Sequence, residues 1–167
     1  FEPIRMREYI ELMKWPDVVG MNIASSYGAI SYGVAVKQIK RLNPKAFIIA
    51  GGHHANMYSR RWLDLGVDLI AKGEAELTFG RIIEEIAGKR HFDQVPGVIF
   101  KADGEYVETA SPPQIETLDE SPVPDFDLIN FKIFPCLIGG GGFTGSIETS
   151  RGCMFRCRFC AVPGYWK

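Results

Sequence analysis

Between residues 16 and 88 short apolar runs alternate with helical stripes, and few folds accommodate that order. Val18 to Ala24, Ala46 to Ala50 and Val67 to Ala71 are short apolar runs that read as strands, the first of them buried on both faces. Residues 29–42 put Tyr32, Ala35, Val36 and Ile39 on one helical face, and Asn43-Pro44 ends that helix. Residues 58–65 predict a shorter helix closed by Gly66. Residues 75–87 predict the clearest one, with Phe79, Ile82, Ile83 and Ile86 in a stripe and Gly88 just past its end. Met6, Tyr9, Ile10 and Met13 mark a further helix over 5–14, stopped by Pro16-Asp17. Strand and helix in strict alternation build right-handed βαβ units. The expected fold class is therefore α/β, a parallel sheet with helices on both faces.

The texture changes after residue 96. Val98 to Lys101 and Glu105 to Thr109 flank Asp103-Gly104, a strong hairpin signal. Residues 111–130 hold Pro112, Pro113, Pro122 and Pro124 among acidic side chains and predict an extended linker rather than a packed element. Its acids, Glu116 to Asp127, lack the spacing of a calcium loop. A glycine run, Gly139 to Gly142, precedes a candidate strand, Thr144 to Thr149. The expected organisation is an α/β domain over 1–96, a hairpin and Pro-rich linker over 97–130, and the start of a second domain over 131–167. The chain has 167 residues, enough for one such domain and a small appendage. It begins without Met, which predicts a piece of something longer. A net charge of -1 argues against a nucleic-acid partner, and Trp15, Trp62 and Trp166 are too scattered to stack bases. No apolar run approaches bilayer length, so no membrane partner is expected.

The cysteines carry the chemistry. Three of the 4 fall at the C-terminal end as Cys153-x3-Cys157-x2-Cys160, where a disulfide framework would spread them out. Such clustering predicts a metal or cluster site in a reducing compartment, the cytoplasm. Thiolates bind soft metals and iron–sulfur clusters, and three on one tight loop hold three corners of a cubane, leaving one iron open. The competing reading is a zinc knuckle with Cys136 as fourth ligand, although zinc sites usually use two C-x2-C pairs and only one is present. Outside a zinc site Cys136 reads as an incidental thiol. Arg151, Arg156, Arg158 and Lys167 make this stretch basic, suited either to an anionic cluster or to a solvated surface.

A second candidate site is the set of loops following the strands: Ser25-Ser26, Gly51-Gly52-His53-His54-Ala55 and Gly73-Glu74-Ala75-Glu76. Open α/β sheets bind ligands at the carboxyl ends of their strands. Glycines there admit close backbone approach, and helix N-termini offer N–H donors to phosphate. Taken singly, Gly-Gly is also an ordinary turn and a lone histidine an ordinary hydrogen-bonded residue.

The stretch Glu-Thr-Ser-Arg-Gly-Cys-Met-Phe-Arg-Cys-Arg-Phe-Cys resembles the cluster loop of radical S-adenosylmethionine enzymes, which share its spacing and the aromatic before the last cysteine, here Phe159. The order of Gly-Gly-x-His-Ala, Lys-Gly-Glu-x-Glu-x-x-Phe, a Val-Pro-Gly-Val hairpin, a Pro-rich acidic linker and the cysteine loop is similar to the cobalamin-binding subfamily, over residues 16–167. The resemblance implies a flavodoxin-like (Rossmann-like) cobalamin domain and a linker leading into a partial TIM-type barrel, with Thr144 to Thr149 as its first strand. It implies that Cys153, Cys157 and Cys160 hold a [4Fe–4S] cluster whose open iron chelates S-adenosylmethionine, with Phe159 at the adenine. One electron, from a donor such as flavodoxin or ferredoxin, then cleaves the sulfonium to a 5′-deoxyadenosyl radical. Ser25, Ser26, Gly51, Gly52, His53, Gly73 and Glu74 match positions lining the cobalamin cleft.

The first βα unit of that domain is expected to lie outside this chain. That would leave a sheet edge open to pairing with a second copy. No Asp-x-His-x-x-Gly pattern occurs, so no histidine ligand to cobalt is expected. The implied reaction of the full-length protein is methyl transfer to an unreactive carbon of a small molecule. The alternatives are oxidative ring closure of the anaerobic magnesium-protoporphyrin monomethyl ester cyclase type, and a cobalamin- or nucleotide-binding module without activity of its own.

Overall fold

The computed structural model describes residues 10–121, 123–125, 127 and 148–160. The chain divides into two compact units, one over residues 4–115 and one made of residues 116–167 with the first three residues.

The first unit is built on a five-stranded sheet in sequential order, β1 (Val18–Asn22), β2 (Phe47–Gly51), β3 (Leu69–Ala71), β4 (Val98–Ala102) and β5 (Glu105–Glu108). The first three strands are parallel, with Val18 beside Phe47, Asn22 beside Gly51 and Ala50 beside Ile70. The hairpin is not an appendage to this sheet. β4 pairs antiparallel with β3, Ile70 opposite Ile99, so β3 gains a partner on its far side. Asp103 and Gly104 turn the hairpin with φ of 51° and 87°, the left-handed pair that a two-residue loop requires.

Side-chain alternation along the strands divides the core in two. Ile48, Ala50, Ile70 and Ile99 face one side, where they meet Val36 and Ile39 of α1 (Ala29–Leu42) and Trp62 and Leu63 of α3 (Ser59–Leu65). Phe47, Ile49, Leu69, Ala71 and Val98 face the other, where they meet Ile82 of α4 (Phe79–Ala87) with Phe92 and Val95. Both faces are thus covered by helix, as the alternation predicts.

Four expectations need correction. β1 is not buried on both faces: among the described residues it is the sheet edge, Gly20 is exposed, and an ideal Cβ there would meet open space. The Gly-Gly-His-His stretch is not only a turn, because a five-residue helix, α2 (His53–Met57), starts within it. α4 starts at Phe79, and residues 75–78 form a turn closed by the Phe79 N–H on the Ala75 carbonyl at 2.7 Å. The linker is packed over its first residues. Pro112 rests on Gly73 and Gly97, the Gly97 N–H donates to the Ala110 carbonyl at 2.7 Å, and the Ile115 N–H donates to Glu74 Oε2 at 2.8 Å. Of the helix expected over 5–14, Ile10 to Leu12 are helical and the earlier residues lie outside the described part.

In the second unit Leu118–Glu120 form a single 3-10 turn, capped by Thr117 Oγ1 accepting the Asp119 N–H at 3.2 Å. Residues 148–160 carry no regular element. The strand expected over 144–149 falls mostly outside the described residues, as do Cys136 and the glycine run, and Glu148 and Thr149 are not in a strand.

Candidate functional site

Every residue matched to the cobalamin cleft stands at one end of the sheet. Parallel pairing puts Asn22 and Gly51 abreast, so the chain leaves β1 and β2 side by side. Ser25 is extended (φ -142°, ψ 163°), Ser26 opens a 3-10 turn, and both are exposed. Gly51 closes β2, Gly52 and His53 follow it, and Gly73 and Glu74 come two and three residues after the end of β3.

Gly52 makes this arrangement possible. Its φ is 90°, and a Cβ there would lie 2.4 Å from Asn22 Oδ1 and 2.9 Å from the Ile23 carbonyl oxygen. No other residue fits so close to the neighbouring loop. Behind it the Ile23 carbonyl accepts the N–H groups of His54 (3.0 Å) and Ala55 (3.3 Å). The N–H groups of His54 and Ala55, early donors of α2, are therefore satisfied inside the protein. His54 is structural as well. Its Nδ1 accepts the Trp62 indole N–H at 3.2 Å, and its ring lies 4.8 Å from that of Tyr58. Glu74, matched to the cofactor cleft, also anchors the returning chain through the Ile115 N–H.

Asn56 escapes a reading by motif. Its Nδ2 donates to the Gly52 carbonyl at 2.8 Å and the Ala71 carbonyl at 3.2 Å, and its Oδ1 accepts the Gly73 N–H at 3.2 Å. One side chain thereby joins the ends of β2 and β3. The only trace in the sequence is an amide four residues after Gly52.

In the second unit Cys153 and Cys157 are exposed and Cys160 is half-buried, all three as free thiols. The Cys160 N–H donates to the Cys157 carbonyl at 3.0 Å, which makes the C-x2-C stretch a turn. Arg151 is held by Glu148 Oε2 at 2.8 Å, and Arg156 and Arg158 are exposed. Phe159 is 93% exposed, with Met154 and Phe155 also in solvent. The thiols are not drawn together: among the described residues no group of three His, Cys, Asp or Glu side chains is arranged to hold a metal ion. The donor set itself fits an iron–sulfur cluster: three free thiols close together in sequence, two of them exposed, in a stretch that also carries the exposed Arg156 and Arg158. The sheet end fits a broad cofactor less specifically, through exposed serine hydroxyls and backbone close enough to exclude a side chain.

An open α/β sheet with glycine loops at its strand ends, followed in the chain by a three-thiol loop, matches the class of cobalamin-dependent radical enzymes, and the comparisons agree. The chain is 30% identical over 148 residues to an uncharacterized methyltransferase, PH0819, of Pyrococcus horikoshii, covering 87% of this chain and 31% of that protein. It is 30% identical over 163 residues to the hopanoid C-3 methylase of Methylococcus capsulatus, covering 91% and 29%. It is 31% identical over 100 residues to the anaerobic magnesium-protoporphyrin IX monomethyl ester cyclase of Synechocystis, covering 60% and 19%. Among solved structures it is similar to the radical S-adenosylmethionine methyltransferase TsrM of Kitasatospora setae with cobalamin and [4Fe–4S] cluster bound, at TM-score 0.52 and 18% identity over 62% of this chain and 21% of that one. That likeness shows the fold. No family model matches. The chain is homologous to a segment of radical S-adenosylmethionine methyltransferases and cyclases, and it spans less than a third of the length of these relatives. No helix among the described residues is long and apolar enough to cross a membrane.

Proposed function

We propose that the full-length protein is a cobalamin-dependent radical S-adenosylmethionine enzyme that transfers a methyl group to an unactivated carbon of a small molecule. The observation that carries the reading is the loop of three free thiols, Cys153, Cys157 and Cys160, in the spacing of that family's cluster loop. These thiolates would hold a [4Fe–4S] cluster, and Phe159 would lie at the adenine of S-adenosylmethionine. Ser25, Ser26, Gly51, Gly52, His53, Gly73 and Glu74 would line the cobalamin cleft. When bound, the cluster supplies the electron that cleaves S-adenosylmethionine, and cobalamin supplies the methyl group. The chain's own residues bind and orient. Arg156 and Arg158 offset the negative charge of a thiolate-ligated cluster, and the glycines let backbone approach a large planar ligand.

The reading places the protein in the cytoplasm, where thiols stay reduced, with an electron donor such as flavodoxin or ferredoxin. Oxidative ring closure is the second reading, favoured by the match to the magnesium-protoporphyrin ester cyclase.

The test replaces Cys153, Cys157 and Cys160 by Ala one at a time in the full-length protein, reconstituted without oxygen. Each variant is expected to lose S-adenosylmethionine cleavage, and full cleavage by any one of them would sink the reading. Methylated product distinguishes methyl transfer from ring closure.

A further inference from the structure

We infer that Asn56 is the positioning residue that sets the β2 and β3 loops at the spacing cobalamin needs, an inference that rests on the cofactor reading above. Gly51 ends β2, Gly52 links it to His53 at the start of α2, and Gly73 and Glu74 lie in the loop after β3. Their strands pair directly over only two residue pairs, Ile49 with Leu69 and Ala50 with Ile70, so the ladder stops before either loop begins. Beyond that point Asn56 carries the connection. It gives both amide hydrogens to carbonyls, one at Gly52 and one at Ala71, and takes the Gly73 N–H on its oxygen.

The three bonds fix which way the amide points, because both carbonyls demand donors and the N–H demands an acceptor. No other neutral side chain of this length supplies two donors and one acceptor from one planar group. Asp supplies acceptors only, and Leu neither. Asn56 touches the backbone of the loops, so its effect is on affinity through their positions. The opposite end of the sheet provides the control. There Asp68 Oδ2 accepts the Ile48 N–H at 2.7 Å and Lys40 Nζ at 2.6 Å, away from both loops.

The experiment titrates aquocobalamin into the full-length protein and its Asn56→Asp, Asn56→Leu and Asp68→Asn variants. Dissociation constants are measured well below the melting temperature of each, and the visible spectrum of the bound corrinoid is recorded. Asn56→Asp and Asn56→Leu are expected to weaken binding about tenfold or more, the loss of one to two part-buried hydrogen bonds. Their bound spectra should move toward that of free aquocobalamin. Asp68→Asn should lower the melting temperature and leave affinity and spectrum unchanged. Wild-type affinity and spectrum in both Asn56 variants would overturn the inference while leaving the cofactor reading intact. Equal weakening in Asp68→Asn would overturn it too, by showing that affinity follows stability alone. A wild-type protein that binds no aquocobalamin would overturn both.

Discussion

Gly52 is the residue whose replacement has the most direct consequence. A methyl group at that position meets Asn22 and the Ile23 carbonyl, and the φ of 90° is unfavourable for any L side chain. Gly52→Ala should cost about 1–3 kcal/mol from backbone strain alone, with the loop displacement added, and chemical denaturation would measure it. Asp64 makes a different prediction. Hydrogen bonds from Lys101 and the Tyr106 hydroxyl hold its carboxyl below the usual carboxylate range. The same contacts hold Lys101 and Tyr106 above their ordinary values. Arg60 also lies over the Tyr106 ring at 5.1 Å, so the cluster fastens α3 to the hairpin. A depressed carboxyl stabilises the fold above its unfolded value near 3.8 and loses that contribution as pH falls through the folded value. Raised Lys and Tyr values stabilise below about pH 10 and fail as pH rises. Asp64→Asn should therefore flatten the pH dependence of the melting temperature at both ends. An unchanged profile would show that the cluster contributes nothing in solution.

At the scale of elements, the stripe on α4 reads as four equivalent apolar residues, yet the structure ranks them. Ile82 is 0% exposed, whereas Phe79 and Ile83 are 41% and 37% exposed at the flanks. Ile82→Ala should cost about 2–5 kcal/mol as a fully buried truncation, and Ile83→Ala distinctly less, both read from denaturant midpoints. Local pattern located α1 to the residue, because a clean stripe ends at Asn43-Pro44. The three strands were legible for a similar reason, since short Val/Ile runs between helices have nowhere else to go. What the pattern missed depends on distant chain. α2 starts where it does because the Ile23 carbonyl, about thirty residues earlier, caps it. The start of the linker is pinned by Glu74, 41 residues away, so its proline-rich composition alone suggested an unpacked segment. β1 looked buried because its composition suits an interior strand, while burial is decided by what pairs with its free edge.

At the scale of the whole molecule, the candidate sites were legible unequally. The cysteine spacing is a local chemical signature, and the structure places all three thiols on one accessible loop without drawing them together. The candidate cofactor loops were legible through the parallel topology that collects strand ends on one side and through their motif order, whereas the residue joining two of them, Asn56, carries no motif. On the proposed function, these loops and thiols serve one cobalamin-dependent radical enzyme. The most direct test is an assay of iron, labile sulfide and cobalamin on one sample of the full-length protein, reconstituted without oxygen. The account predicts about four irons, as many sulfides and one cobalamin per chain. Stoichiometric zinc without labile sulfide would contradict it.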